Sequence, residues 1–247
     1  MHIVIVNNSV ADKSLPSITA GRNGVAVKEA EANLGYGSAM NVGAELTSGE
    51  WLMLANPDIV FSPGAVDEML RVASSDDSIG IVGPLIHTQQ GDVYPSARKL
   101  PSLRTGVGHA LLARIWKTNP WTKSYRADRE LPPRQRDAGW VSGACMFVRR
   151  TTFEELAGFD EKFFMYFEDV DLCARAGRAG WRIVYAPSAE IMHTGAHATS
   201  TSSKAMVRVH HRSAYIYLAA RYSAWYLAPL RLTLQLGLRA RAALVKE

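Results

Sequence analysis

The segment WLMLANPD, residues 51–58, sets an unbroken apolar run directly before Asn56-Pro57-Asp58. The run is too short for a stable helix, Gly49 and Pro57 bound it, and nothing polar interrupts it. It reads as a fully apolar strand, Trp51–Ala55, that ends abruptly in a polar cluster, where α/β sheets bind ligands. Outward from it, His2–Val6 is a second apolar run that ends in Asn7-Asn8-Ser9, and Val25–Val27 is a short third. From Gly37 to Leu46 the spacing turns helical, and Ser62-Pro63 opens a helix through about Ala73. Ile79–Val82, Trp140–Val148, Trp181–Ala186 and Ala189–Met192 read as further strands, and Thr152–Leu156 and Glu168–Ala176 as helices. The alternation predicts an α/β domain with a mainly parallel central sheet. Residues 95–137 break the rhythm with Pro101, Pro120, Pro132 and Pro133, and a long excursion is expected there.

With 247 residues, 47% of them hydrophobic, the chain can fill one ample core. A charged fraction of 21% excludes a disordered or collagen-like chain. Cys145 and Cys173 stand outside any CxxC pattern and read as buried free thiols in a reducing compartment, too few for a structural zinc site. No apolar run approaches the roughly 18 residues that span a bilayer, and MHIVIVNNS lacks a signal-peptide layout. Both observations argue against a secreted or membrane-spanning protein.

Charge divides the chain. Residues 1–203 carry 20 Lys/Arg against 22 Asp/Glu, whereas 204–247 carry 8 against Glu247 alone. That tail also holds Tyr215, Tyr217, Tyr222, Trp225 and Tyr226 among leucines, a composition suited to the interface of an anionic membrane. The plainer alternative is a helical pair packed on the body with a solvated basic face. Nucleic acid is not an expected partner, because the body is mildly acidic and carries no such motif. The expected division is a body at 1–203 and a basic amphipathic helical tail at 204–247.

Three polar clusters fall at strand ends, where α/β sheets bind ligands: Asn7-Asn8-Ser9 with Asp12, Asn56-Pro57-Asp58, and His193 after Ile191-Met192. Asp58 or His193 alone is as well explained by a turn or a structural imidazole. Together they offer an oxygen and a nitrogen to a hard metal ion, with positions left for phosphate oxygens. Glu168-Asp169-Val170-Asp171 either complements a helix dipole or supplies a general base, and the preceding Phe163–Phe167 gives it an apolar setting that raises a carboxyl pKa. Asn33-Leu34-Gly35-Tyr36-Gly37 is neither GxGxxG nor a P-loop, which removes support for nicotinamide or ATP binding.

In order along the chain stand NNSVAD (7–12), ANLGYGSAMN (32–41), ANPD (55–58), GWVSGACMFVRR (139–150), GFDEKFFMYFEDVDL (158–172) and His193. This set resembles the family-2 inverting glycosyltransferases of the GT-A fold, a Rossmann-like nucleotide-diphospho-sugar transferase architecture. VYPSARKLPS (93–102) and NPWTKSYR (119–126) are similar to its rhamnosyltransferases. The resemblance implies Asp58 and His193 as ligands of Mg²⁺ or Mn²⁺ and Asn8, Asp12, Asn33, Gly37, Asn41 and Asn56 around a nucleotide-sugar donor. It also implies Asp169 as base with Glu168 in support, and Trp140, Ser142 and Gly143 on the acceptor side. The implied substrates are dTDP-rhamnose and a polyprenyl-diphosphate-linked N-acetylglucosamine, and the implied location is the cytoplasmic, inner face of the cell membrane. Another nucleotide sugar, or a non-catalytic lipid-associated binding protein, are the alternatives. Against the family pattern, the chain opens on the strand that carries NNSVAD, so a first β–α unit is expected to be missing and the start to be assigned too late. Asn7 and Ser9 also depart from the family's Asp and Gly.

Overall fold

The computed structural model describes residues 2–9, 14–103, 133–195 and 204–244. The strands are β1 (Ile3–Asn7), β2 (Val25–Glu29), β3 (Trp51–Ala55), β4 (Ile59–Phe61), β5 (Ile79–Thr88), β6 (Val93–Tyr94), β7 (Ala97–Arg98), β8 (Arg136–Asp137), β9 (Trp140–Val141), β10 (Cys145–Arg149) and β11 (Arg182–His193). The helices are α1 (Leu15–Thr19), α2 (Tyr36–Glu45), α3 (Ala65–Ala73), α4 (Arg150–Glu155), α5 (Glu168–Arg178), α6 (Lys204–Arg221) and α7 (Ala228–Leu244). Trp51–Ala55 is the strand its composition demands, with Leu52 and Leu54 buried.

The sheet is mixed, which corrects the mainly parallel expectation. Its order is β3-β10-β5-β11-β4, with β6 on β5 and β8 on β11. Among the described residues only β5 and β11 run parallel within it; β10 is antiparallel to both β3 and β5, and β4 to β11. Apolar content reveals that a strand is buried but not which way its neighbours run. Among the described residues, β1 pairs with β2 alone, in parallel, as a small sheet of its own. Helix α2 joins that sheet to the body, because Gly43 lies against Val6 while Ala44 enters the core with Leu52, Leu54 and Val148.

Two expected boundaries also move. Trp140–Val148 is not one strand: it breaks at Ser142–Ala144 into β9, which pairs with β7, and β10. The two expected closing strands are one, β11, whose register on β5 skips between Ala186 and Glu190, around Pro187. A proline there has no N–H to give the ladder, so the strand bulges rather than ends.

Each face of the sheet carries a core. Helix α3 covers one with Ala65, Met69, Val72 and Ala73, all buried, and keeps Asp67 and Glu68 in its first turn and Arg71 in its last, as the helix dipole favours. The other face is covered by α2 and α5, with Phe153, Phe159, Leu172 and Cys173 in the core between. Cys145 and Cys173 are both free and buried, as expected. Of the long excursion, 104–132 lies outside the described residues.

Helix α6 packs into the body: its Tyr217 is buried in a cluster with Phe163, Val170 and Ala174. Arg231 Nη1 then donates to the Tyr222 and Ala224 carbonyls at 2.9 and 2.7 Å, fixing the turn that returns the chain along α7. At that turn Trp225 is 85% and Tyr226 66% exposed, and Leu232 and Leu236 on α7 are exposed too. Among the described residues no helix is long and apolar enough to cross a membrane.

Gly35 has φ +82°, and a methyl there would overlap the Phe164 carbonyl oxygen. Gly35→Ala is expected to destabilise the chain by at least about 2 kcal/mol through backbone strain and that clash, as urea unfolding would report.

Candidate active site

Asp169 lies in the first turn of α5, behind a tight backbone turn. Tyr166 and Phe167 both adopt left-handed φ values, 66° and 68°, a conformation that costs non-glycine residues energy and persists only where packing enforces it. The enforcement comes from α6. His210 meets the rings of Tyr166 and Phe167 at 5.3 and 5.5 Å, and Ser213 Oγ donates to the Met165 carbonyl at 2.7 Å. The turn thereby aims the Asp169 carboxylate at the break between β9 and β10.

Two backbone donors receive it. Gly143 N–H donates to Asp169 Oδ2 at 2.9 Å and Val170 N–H to Oδ1 at 2.8 Å. Burial raises the Asp169 pKa above the ordinary aspartate value, and these two donors oppose the rise. Glu168 is shifted in the same direction. It is buried, its Oε2 has no hydrogen-bond partner among the described residues, and burial followed by the Asp169 charge pushes its pKa up to about 8. The third acid of the cluster, Asp171, is structural: it holds Arg175 at 2.6 Å, and Arg175 in turn donates to the Leu156 and Gly158 carbonyls.

The metal-type residues also meet. Asp58, just beyond β3, and His193, at the end of β11, lie 135 positions apart in sequence, yet Asp58 Oδ1 is 3.1 Å from His193 Nε2. The Asn56 amide nitrogen is 3.3 Å from the same Nε2. A carboxylate oxygen and an imidazole nitrogen converging in this way are a donor set that fits a divalent cation completed by phosphate oxygens. Asn56 N–H donates to the Ala144 carbonyl at 2.9 Å, so the pair and Asp169 are joined through the short stretch Gly143–Ala144.

The expected donor residues divide. Asn8 and Asn33 form one network: Asn8 Nδ2 donates to Asn33 Oδ1 and to the Gly35 carbonyl, and Asn8 Oδ1 accepts from Leu34 N–H at 2.7 Å. This fixes the loop from β1 against the loop before α2 and leaves Asn33 exposed. Gly37 and Asn41 are turned to the fold instead. A methyl at Gly37 would sit 2.8 Å from Phe159 Cβ. Both amide atoms of Asn41 pair with the Phe159 backbone, at 2.8 and 3.0 Å. They brace the loop before α5. Asp12 lies outside the described residues. Trp140, Ser142 and Gly143 gather at the β9–β10 break: Trp140 Nε1 donates to the Lys99 carbonyl at 3.1 Å, and Ser142 Oγ accepts from Ala144 N–H at 3.3 Å.

The sequence matches the family model "Glycosyltransferase like family 2" over residues 3–215. The chain belongs to glycosyltransferase family 2. This glycosyltransferase is 42% identical over 254 residues to the N-acetylglucosaminyl-diphospho-decaprenol L-rhamnosyltransferase of Mycobacterium tuberculosis, covering 98% of this chain and 82% of that one. It is 28% identical over 173 residues to rhamnosyltransferase WbbL of Escherichia coli K12, covering 70% of this chain and 62% of that one. Among solved structures it is similar to GalNAc-T7 with UDP, GalNAc and Mn²⁺, at TM-score 0.58 and 17% identity over 96% of this chain and 48% of that one. It thus spans about half the length of GalNAc-T7. It is also similar to the mannosyltransferase PcManGT of Pyrobaculum calidifontis with GDP-Man and Mn²⁺, at TM-score 0.57 and 14% identity over 100% of this chain and 67% of that one. At such identities the likeness shows the fold, which is GT-A.

Two residues of the site carried no assignment from sequence. Tyr36 donates its hydroxyl to the Gly143 carbonyl, and burial followed by the Glu168 and Asp169 charges raises its pKa well above the ordinary tyrosine value. Arg98 stands over the Trp140 ring. Both lie inside segments that carry the family resemblance, ANLGYGSAMN and VYPSARKLPS, but Gly143 and Trp140, the partners that bring them to the site, are more than 40 positions away.

The Glu168 shift has a sign. Its pKa rises from an ordinary 4.5 to about 8 in the fold, so the native state holds the proton through a window in which the unfolded chain has lost it. Stability is therefore expected to fall as pH rises from about 5 to 8, by up to about 1.4 kcal/mol per unit. Glu168→Gln, which mimics the protonated acid, should flatten that slope in urea unfolding across the same range.

Proposed function

We propose that this chain is an inverting rhamnosyltransferase that moves L-rhamnose from dTDP-rhamnose to a polyprenyl-diphosphate-linked N-acetylglucosamine. The observation that carries the reading is the joining of two centres. A base held on a backbone N–H at Gly143 stands beside a carboxylate–imidazole pair at Asp58 and His193, with Asn56–Ala144 between them. The choice of sugars is supported by the mycobacterial relative named above, whose likeness runs through nearly the whole chain.

The chemistry follows from the side chains. An acceptor hydroxyl is a weak nucleophile at neutral pH, and Asp169 takes its proton as the oxygen attacks the anomeric carbon. Gly143 N–H and Val170 N–H keep the acceptor lone pair of Asp169 aimed and its charged form available. Glu168, protonated beside it, keeps a second negative charge out of the site. Asp58 and His193 hold Mg²⁺ or Mn²⁺, which when bound offsets the charge of a diphosphate leaving group. Asn8, Asn33 and Asn56 face the donor, Trp140 and Ser142 the acceptor sugar. A single displacement opposite the diphosphate inverts the anomeric centre.

The tail supplies the location. The exposed Trp225 and Tyr226, with Leu232 and Leu236 and the arginines of α7, dock on the cytoplasmic face of an anionic membrane, where a polyprenyl acceptor resides.

Transfer from dTDP-rhamnose to the lipid-linked sugar is expected with Mg²⁺ or Mn²⁺ and is expected to be lost in EDTA; product formation indifferent to EDTA would remove the metal. Asp169→Asn should lower kcat by about 10²- to 10⁴-fold while sparing donor binding. Replacing Trp225 and Tyr226 together by Ala should weaken co-sedimentation with phosphatidylglycerol vesicles about tenfold or more and leave transfer to a short-chain soluble acceptor intact.

A further inference from the structure

Arg98 is a fixed cation beside the base, without an anion of its own. β7 runs antiparallel to β9 with Arg98 opposite Trp140. The guanidinium carbon lies 5.5 Å from the Trp140 ring centroid and 5.8 Å from that of Tyr94, while Nε donates to the Pro95 carbonyl at 2.8 Å. The indole is itself tied to the Lys99 carbonyl. Three contacts therefore immobilise a side chain that ordinarily has many rotamers. Among the described residues no carboxylate lies within ion-pair distance of it, and its four Nη–H donors meet no acceptor.

The position has a chemical meaning. Two residues beyond β9, Gly143 hands its N–H to Asp169, so the strand pair that carries Arg98 is the one that positions the base. The positive charge reaches that carboxylate and favours its ionised form. A planar guanidinium held by aromatic faces keeps its outer edge free, and that edge matches two phosphate oxygens at once. Asp58 and His193, the pair proposed to hold the metal ion of the donor, lie elsewhere, at the ends of β3 and β11.

We propose that Arg98, clamped by Tyr94 and Trp140, is a phosphate-binding residue of the acceptor side and grips the diphosphate that links the acceptor sugar to its lipid. The assignment rests on the proposed reading of Trp140 to Gly143 as the acceptor side. It adds a charge requirement to the acceptor: a sugar with its hydroxyl on Asp169 must also carry a phosphate for Arg98. Such a residue discriminates lipid-diphosphate sugars from neutral glycosides, which would leave the guanidinium unpaired in a half-buried place.

Calorimetric binding without donor sugar tests this without turnover, the two sugar probes being titrated in EDTA and dTDP with Mg²⁺. The probes are a short-chain citronellyl-diphospho-N-acetylglucosamine and the neutral octyl N-acetylglucosaminide, with dTDP as a third. Arg98→Ala is expected to weaken the diphosphate probe at least about tenfold and to leave the octyl glycoside and dTDP unchanged. Arg98→Gln, which keeps a polar stem but removes the charge and the guanidinium fork, should show the same selectivity, and Arg98→Lys should fall between. Equal weakening of both sugar probes would make Arg98 a packing residue and overturn the proposal. Selective weakening of dTDP would assign the cation to the donor, and no binding of the diphosphate probe by the unaltered chain would overturn it outright. A chain that binds the probe through Arg98 yet transfers nothing from dTDP-rhamnose would refute the proposed sugar transfer and leave the phosphate site standing.

Discussion

A carboxylate cannot be buried for nothing, and the architecture turns on how Asp169 is kept. Its two oxygens rest on the N–H groups of Gly143 and Val170, one across the site and one in its own helix. For the first of these to exist, the strand of residues 140–149 has to break at Ser142–Ala144, because a continuous ladder would spend that N–H on a neighbouring strand. The break in turn needs an anchor, which Tyr36 supplies by donating to the Gly143 carbonyl from the start of α2. The same helix start is fastened to the loop before the base, with Tyr36 N–H on the Phe164 carbonyl at 3.0 Å and Asn41 on Phe159. The loop before α2, the β9–β10 break and Asp169 are thus one hydrogen-bonded unit.

The strained turn at Tyr166–Phe167 is stabilised from outside that unit. Its rings and carbonyls are held by His210, Ser213 and Tyr217 of α6, and α6 leads directly into the exposed aromatic turn at Trp225. Burial lowers the His210 pKa, with His211 and Arg241 adding to the effect, so the imidazole meets the two rings as a neutral, apolar partner. The surface suited to a membrane and the side chains that hold the turn before Asp169 therefore belong to neighbouring parts of one helical hairpin.

Much of this was legible in the residues. WLMLA could be little other than a buried strand, and the apolar spacing of 65–73 matches the face that α3 buries. Asp58 and His193 were each ambiguous alone; chemistry suggested that they pair, and the fold brings them to 3.1 Å. What could not be read was whatever depends on a partner chosen by the tertiary structure. Strand direction is one case, since β10 carries the same apolar run whichever way β3 and β5 lie. Asn41 is another: an amide in a helix can face a ligand or brace a loop, and only the position of Phe159 decides. Arg98 is a third, because a cation in a proline-bounded loop gives no sign that two aromatic rings will hold it.

The register skip in β11 has a consequence for which changes the chain accepts. Residues 187–189 face no partner on β5, and pairing resumes with Glu190 opposite Leu85, next to the Ala186–Pro84 pair. Three extra residues on one strand against none on the other is an odd number, and side chains alternate with a period of two. The bulge is therefore a parity device: it sets which face of the sheet His193 meets. Substitution at the exposed Ser188 leaves that parity untouched, whereas gain or loss of a single residue reverses it and turns the imidazole away from Asp58. At Ser188 length is constrained more tightly than identity, whereas the neighbouring Ala189, buried in the core, is held in both.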